Sequence, residues 1–255
     1  WNRRRFLKTA AGTAGFLAVM PCLNAEEALT NAKPLKVGLV GCGGRGLGAM
    51  KNALDADPGT IAWALADVFQ ERIDFGAKLL AEQYGNRARL DRSRLFSGLD
   101  SYKRLLQTDI DVVLLCTPPA FRPEHLAAAV DASKHIYAEK PVAVDVPGVL
   151  SVLESARLAK LKNLVILDGF CWRYDKANEE AHRKLSSGQL GRVLSFDGLY
   201  YTTPPKSPLA LDSRPSSDTD VAWALRNWTA WNWLSGGQFV EQIVHTIDGD
   251  RKSVV

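Results

Sequence analysis

Gly41, Gly43, Gly44, Arg45 and Gly46 stand in the run LKVGLVGCGGRGLG, where three of the glycines keep a G-x-G-x-x-G spacing. A turn of this kind serves phosphate chemistry. Gly41 permits a tight reversal, Gly43 lets backbone approach a pyrophosphate, and Gly46 lets a helix pack closely on a strand. The helix that follows directs free N–H groups and its positive dipole end at the phosphates. Asp67 comes 21 residues after Gly46, at the end of a second apolar run. A carboxylate there can accept from the ribose hydroxyls of a dinucleotide and repel a 2′-phosphate, which favours NAD over NADP. An N-cap role for the same aspartate stays open. A glycine turn with a spaced acid also occurs in some methyltransferases, so these two features leave the nucleotide class unsettled. Two further groups can handle protons and oxygen charge. One is Lys140, within Glu139-Lys140-Pro141; the other is the pair Glu241 and His245, four residues apart and on one helical face. A cation beside a reacting hydroxyl stabilises developing negative charge, and an imidazole removes a proton near neutral pH. Taken alone, a charged strand end and a packed amphipathic helix account for these residues better.

Elements must hold these positions in place. Apolar runs at Leu35–Val40, Ile61–Ala66, Val112–Cys116, His135–Ala138 and Leu164–Leu167 read as strands, and stretches near 46–56, 69–84, 122–133 and 146–160 read as helices. Several strands are apolar throughout, as parallel strands covered on both faces are. The alternation predicts an α/β fold, a Rossmann-like doubly wound parallel sheet over residues 33–168. Thr117 and Pro118, after VVLLC, then fall at the carboxyl end of the sheet, where ligands bind. Residues 86–94 read as an exposed polar loop. From 169 to 255 the pattern becomes that of an incomplete α+β substrate domain. It holds a helix at Ala177–Ser186, the β-prone run RVLSFDGLYYT at 192–202 and a Pro- and Ser-rich loop at 203–220. Trp223, Trp228, Trp231 and Trp233 follow. Packing accounts for most of them, and one or two are left for stacking on a sugar face.

The chain has 255 residues, 46% hydrophobic and 24% charged, which are ordinary globular values. Its net charge of +4 is matched by Arg3, Arg4, Arg5 and Lys8 alone, so no nucleic-acid footprint is indicated. Cys22, Cys42, Cys116 and Cys171 are widely spaced and predict neither a zinc site nor a disulfide framework. At the front, NRRRFLK precedes TAAGTAGFLAVM, an apolar stretch shorter than the ~20 residues of a membrane span. This segment resembles a twin-arginine export signal, so residues 1–32 are expected to be a signal and linker for a periplasmic or extracellular protein. An ordinary basic N-terminal helix is the alternative.

Several motifs together resemble the Gfo/Idh/MocA oxidoreductases, the family that includes glucose–fructose oxidoreductase and inositol dehydrogenases. They are the glycine turn, VVLLCTPP, KHIYAEKPVA at 134–143, Arg173-Tyr174 in GFCWRYDK, and SGGQFVEQIVHTID at 235–248. The resemblance covers roughly residues 35–248. It implies that Lys140 lies beside a nicotinamide and touches the substrate hydroxyl. It implies that His245 is the general base, with Glu241 positioning substrate or tuning the imidazole. The implied cofactor set is Gly41, Gly43, Gly44, Arg45, Gly46, Asp67, Thr117, Pro118, Glu139, Lys140 and Arg173; for Arg173 a domain-boundary salt bridge is an equal reading. The expected activity is hydride transfer between a tightly held NAD and a hydroxyl of a sugar, polyol or related carbohydrate. Two other readings stand: an NAD-dependent glycoside hydrolase working by transient oxidation and elimination, and an NAD-binding partner protein without catalysis. Family members continue past the helix of His245 into an open β-sheet that forms the substrate floor and often the oligomer interface. This chain reads GDRKSVV after Asp248. It is therefore expected to be truncated, and the full-length protein to be a homo-oligomer.

Overall fold

The structure, a computed structural model, describes residues 33–189, 191–202 and 208–254. The segment resembling an export signal, residues 1–32, lies outside the described residues, as do 203–207 of the expected loop. Pro34–Val255 form one compact unit.

Six strands make the sheet: β1 (Leu35–Val40), β2 (Thr60–Asp67), β3 (Leu95–Ser97), β4 (Val112–Leu115), β5 (His135–Ala138) and β6 (Ile166–Asp168). Their order is β3-β2-β1-β4-β5-β6 and every pairing is parallel. This is the Rossmann order, with the chain reversing direction across the sheet between β1 and β4. The crossovers carry α1 (Gly44–Ala56), α2 (Gln70–Tyr84), α3 (Ser101–Leu106), α4 (Arg122–Asp131) and α5 (Val146–Leu161). Alternate residues of each strand serve opposite faces. Leu39 and Leu65 pack with Leu47, Met50 and Leu54 of α1 and Ile73 of α2. Val40, Ala66, Val113 and Leu115 pack with Leu105 of α3 and Leu126 and Val130 of α4. Two buried faces explain why these strands read as unbroken apolar runs.

β3 and α3 are additions to the sequence reading. Three residues and six residues carry too little periodicity to register, and they follow the polar stretch that was read only as a loop. Past β6 the chain forms α6 (Lys176–Ser186), capped by the Asp175 carboxylate on the Ala177 and Asn178 amides. The β-prone run at 192–202 does not become a strand. A strand needs a neighbour for its backbone groups, and none of the described residues pairs with it. α7 (Asp220–Arg226), a 3₁₀ turn at Trp228–Ala230 and α8 (Asn232–Ser235) then fold back onto the sheet domain. Ala224, Leu225 and Leu234 bury against Phe69, with Val68, Ala120 and Phe121 at the margin. A π-helical turn at Phe239–Ile243 runs into α9 (Val244–Val254). No described helix is long and apolar enough to cross a membrane.

Candidate active site

The glycine turn sits where β1 and β4 part. Gly41 has φ +98°, and a Cβ there would lie 2.8 Å from the Cys116 carbonyl group. A Cβ on Gly46 would run into the Gly41 carbonyl oxygen, so this glycine sets the contact between α1 and β1. Gly43 and Gly44 differ: nothing lies within 4 Å of a Cβ placed on either. Their open side is the space a pyrophosphate needs. Gly43 is the N-cap of α1 and brings no side-chain acceptor to its amides, which leaves the positive end of the helix for an anion.

Asp67 ends β2 beside this turn. Its Oδ2 accepts from the Cys42 amide at 2.7 Å and its Oδ1 from the Phe69 amide at 3.0 Å. Burial pushes the carboxyl up, against these hydrogen bonds and the nearby Arg72 charge. Asp67 is thus part of the turn's own framework. Two carboxylate oxygens offer about four acceptor positions, so ribose hydroxyls still find lone pairs. Gly41, Gly43, Gly44, Arg45, Gly46, Asp67, Thr117 and Pro118 all line one cavity of about 220 Å³, with Phe69 and Trp228. The residues present therefore fit a dinucleotide: an uncapped helix end, an open glycine and an acid at the ribose position.

His125 also lines this cavity. Its Nδ1 lies 3.1 Å from Thr117 Oγ1, its ring lies 4.1 Å from that of Tyr102, and burial pushes it down to about 4. It supports the Thr117 turn as a neutral ring. Arg122 escaped the sequence reading altogether. Its side chain is fully buried and donates to the carbonyl oxygens of Pro141 and Thr117, so one guanidinium ties the EKP loop to the end of β4. Burial lowers it to about 10, although Cys116, Glu241 and Glu139 support the charge. A charged residue inside an R-P-E-H helix start gave no local sign of this role.

Glu139 and Lys140 leave β5 in different directions. Glu139 Oε1 accepts from Arg45 Nε at 2.6 Å and from the Tyr137 hydroxyl at 2.8 Å. Burial opposes the Arg45 charge, but the Glu139 and Tyr137 partners outweigh it and push the guanidinium up. This bridge joins the phosphate turn to the EKP motif. Lys140 precedes a cis peptide to Pro141, and its Nζ lies 3.0 Å from Glu241 Oε1 and also donates to the Glu241 carbonyl. Burial raises Glu241, and Lys140 and Arg122 pull it back. His245 sits among Phe170, Trp172 and Tyr200, the Trp172 ring centroid being 5.0 Å away. Burial lowers its imidazole and the Lys140 charge acts in the same direction, against Asp248 and Glu139. Glu241 Oε2 and His245 Nδ1 are buried with no hydrogen-bond partner among the described residues.

Arg173 lies apart from the glycine cavity. Its Nε meets both Asp248 oxygens at 2.8 and 3.0 Å, and its Nη1 lies 3.4 Å from Asp168. This bonds β6 to α9, the salt-bridge alternative of its two sequence readings. A second cavity of about 350 Å³ is lined by Trp172, Arg173, His245 and Asp248. Of the tryptophans, Trp223 is core and Trp228 reaches the glycine cavity, while Trp231 and Trp233 are exposed.

A parallel sheet in Rossmann order, with a glycine cradle and an acid at its switch point, defines a dinucleotide-binding protein. Comparison with known proteins narrows this. The profile of the Gfo/Idh/MocA oxidoreductase family, described as an NAD-binding Rossmann fold, matches residues 35–167, and the chain belongs to that family. It is 28% identical over 177 residues to dTDP-3,4-didehydro-2,6-dideoxy-alpha-D-glucose 3-reductase of Actinomadura kijaniata, covering 69% of this chain and 48% of the relative. It is 27% identical over 219 residues to glycosyl hydrolase family 109 protein 2 of a Shewanella species, covering 78% of this chain and 46% of the relative. The chain thus spans about half the length of these curated relatives. Its fold matches a crystal structure of scyllo-inositol dehydrogenase from Lactobacillus casei with bound NAD(H) and scyllo-inositol, at TM-score 0.61 and 23% identity, covering 87% of this chain and 56% of that one.

The two tight glycines and the two open ones separate stability from binding. Gly46→Ala is expected to cost about 2 kcal/mol or more in urea unfolding. Gly43→Ala is expected to stay within about 1 kcal/mol of the parent and yet weaken NAD binding about tenfold or more by calorimetry.

Proposed function

We propose that this chain carries the cofactor site and the proton-handling residues of an NAD-dependent oxidoreductase acting on a CH–OH group of a sugar, polyol or related carbohydrate. One observation carries the reading: Lys140 from the end of β5 and Glu241 from the π-helical turn meet at 3.0 Å, with His245 within reach of the Lys140 charge. Lys140 leaves the same strand end as Glu139, which is tied to the phosphate turn through Arg45.

NAD, when bound, supplies the hydride acceptor, or the donor in the reverse direction. His245 takes the hydroxyl proton as the carbinol carbon gives up its hydride and a carbonyl forms. Its lowered imidazole is neutral at neutral pH, and Nδ1 has no competing partner among the described residues. Lys140 has three donors and spends them partly on Glu241; the remainder can bear on the reacting oxygen as its charge grows. Glu241 Oε2 has no partner among the described residues, so the carboxylate keeps acceptor capacity beside Lys140. Asp67 at the ribose end favours NAD over NADP.

A second reading is supported by the likeness to the family 109 glycosyl hydrolase. The same proton and hydride movements, run forward and then back around an elimination, would cleave a glycoside with no net change in NAD. Glycoside turnover at constant NADH absorbance selects this reading over the dehydrogenase.

A panel of cyclic polyols and aldoses tests the main reading: substrate-dependent NADH formation is expected. Lys140→Met is expected to lower kcat by about 100-fold or more, and a chain that binds no NAD contradicts the proposal. The lowered His245 also has a signature. The imidazole charges only as pH falls below its ordinary value of 6.5, so kcat/KM should hold its plateau through neutrality and fall on the acid side of 6.5. In NMR titration the His245 midpoint is expected below 6.5 and should move upward in Lys140→Met. A midpoint unmoved by that change would contradict the charge coupling.

A further inference from the structure

We propose that Arg226 is the latch of a strap, residues 218–235, that closes over the adenosine end of the cofactor cleft and governs how fast NAD leaves. This rests on the NAD-binding reading above. The strap consists of Asp218, α7, the Trp228 turn and α8. It bridges both walls of the cleft, burying Leu225 and Leu234 against Phe69 of the β2–α2 loop, with Phe121 of the turn after β4 packed against the same cluster. Leu225 and Trp228 then line the glycine cavity together with Asp67, Val68 and Arg72. In a Rossmann cleft the residue that ends β2 faces the adenosine ribose, so an adenosine beside Asp67 lies under this strap.

Arg226 fastens the strap to the loop that carries Asp67. Its guanidinium lies 3.9 Å from the Phe69 ring centroid, and Nη1 meets Glu71 Oε1 of α2 at 2.7 Å. On the strap itself, Nε meets Asp218 Oδ2 at 2.6 Å. The contacts use what distinguishes arginine from lysine: a planar face for the ring and a fork that serves two carboxylates at once. The Asp218 pair stays within the strap, whereas the Glu71 and Phe69 contacts cross to the wall and must break if the strap lifts. Glu71 is largely exposed, so its pair is individually weak. The crossing ion pair is thus a weaker fastening than the apolar cluster beside it.

Stopped-flow displacement of NADH by excess NAD tests the latch in the full chain. Arg226→Ala is expected to raise the dissociation rate about tenfold, and Arg226→Lys, which keeps charge without the fork, by less. Binding of ADP-ribose should weaken in parallel while that of nicotinamide mononucleotide stays unchanged, a split that general loosening of the fold would not produce. Glu71→Ala removes one crossing contact with Asp218 and Phe69 left in place, and should raise the rate about twofold to threefold even if Arg226→Ala fails to fold. Dissociation rates equal to the parent's in these variants overturn the latch alone. A parent protein that binds no NADH overturns the cofactor reading and the latch with it.

Discussion

Lys140 reaches from the end of β5 to Glu241 on the π-helical turn, and the geometry of the candidate site hangs on this contact. Both side chains are about 85% removed from solvent, so each has lost most of its hydration. Desolvated charges persist only when their remaining donors and acceptors are met. Lys140 meets that demand twice on one residue, through the Glu241 carboxylate and the Glu241 carbonyl. The π-helical turn bears on the second of these. A turn with i→i+5 spacing shifts carbonyls away from the ordinary helical ladder, and here one of them receives a lysine from another element. The pair therefore sets where α9 begins relative to the sheet, and with it where His245 stands.

The rest of the charge arrangement follows from that demand. Arg122, buried beneath the site, supports Glu241 and Glu139 electrostatically while holding the Thr117 and Pro141 carbonyls. Arg45 and Tyr137 hold Glu139. Each carboxylate near Lys140 has thus its own cationic or hydroxyl partner, and the histidine is the group left without a counter-charge in contact. Burial lowers His245 and the Lys140 charge adds to that, which leaves a neutral acceptor at neutral pH.

Much of this was legible in the sequence. Long apolar strands, the glycine spacing and the acid that ends β2 each follow from local chemistry, and the structure places the glycines and the acid around one cavity. Lys140, Glu241 and His245 were singled out through their resemblance to a family and not through their local patterns, because a lysine at a strand end and a histidine on a helix have commoner uses. Arg122 and Arg226 were not found. Both work across the fold, Arg122 through two backbone carbonyls and Arg226 through a ring and two carboxylates, and such partners leave no periodic trace near the residue. The run at 192–202 shows the converse: β-propensity describes a side-chain preference, and without a neighbouring strand it yields no strand.

A double-mutant cycle on Lys140 and Glu241 tests the central contact most directly. Lys140→Met, Glu241→Gln and the double variant are unfolded in urea with the parent, and the coupling energy is taken from the four stabilities. A coupling of about 1–3 kcal/mol is predicted for two largely buried, hydrogen-bonded partners. Additive losses, with a coupling near zero, would show that the lysine and the carboxylate do not meet and would contradict the account.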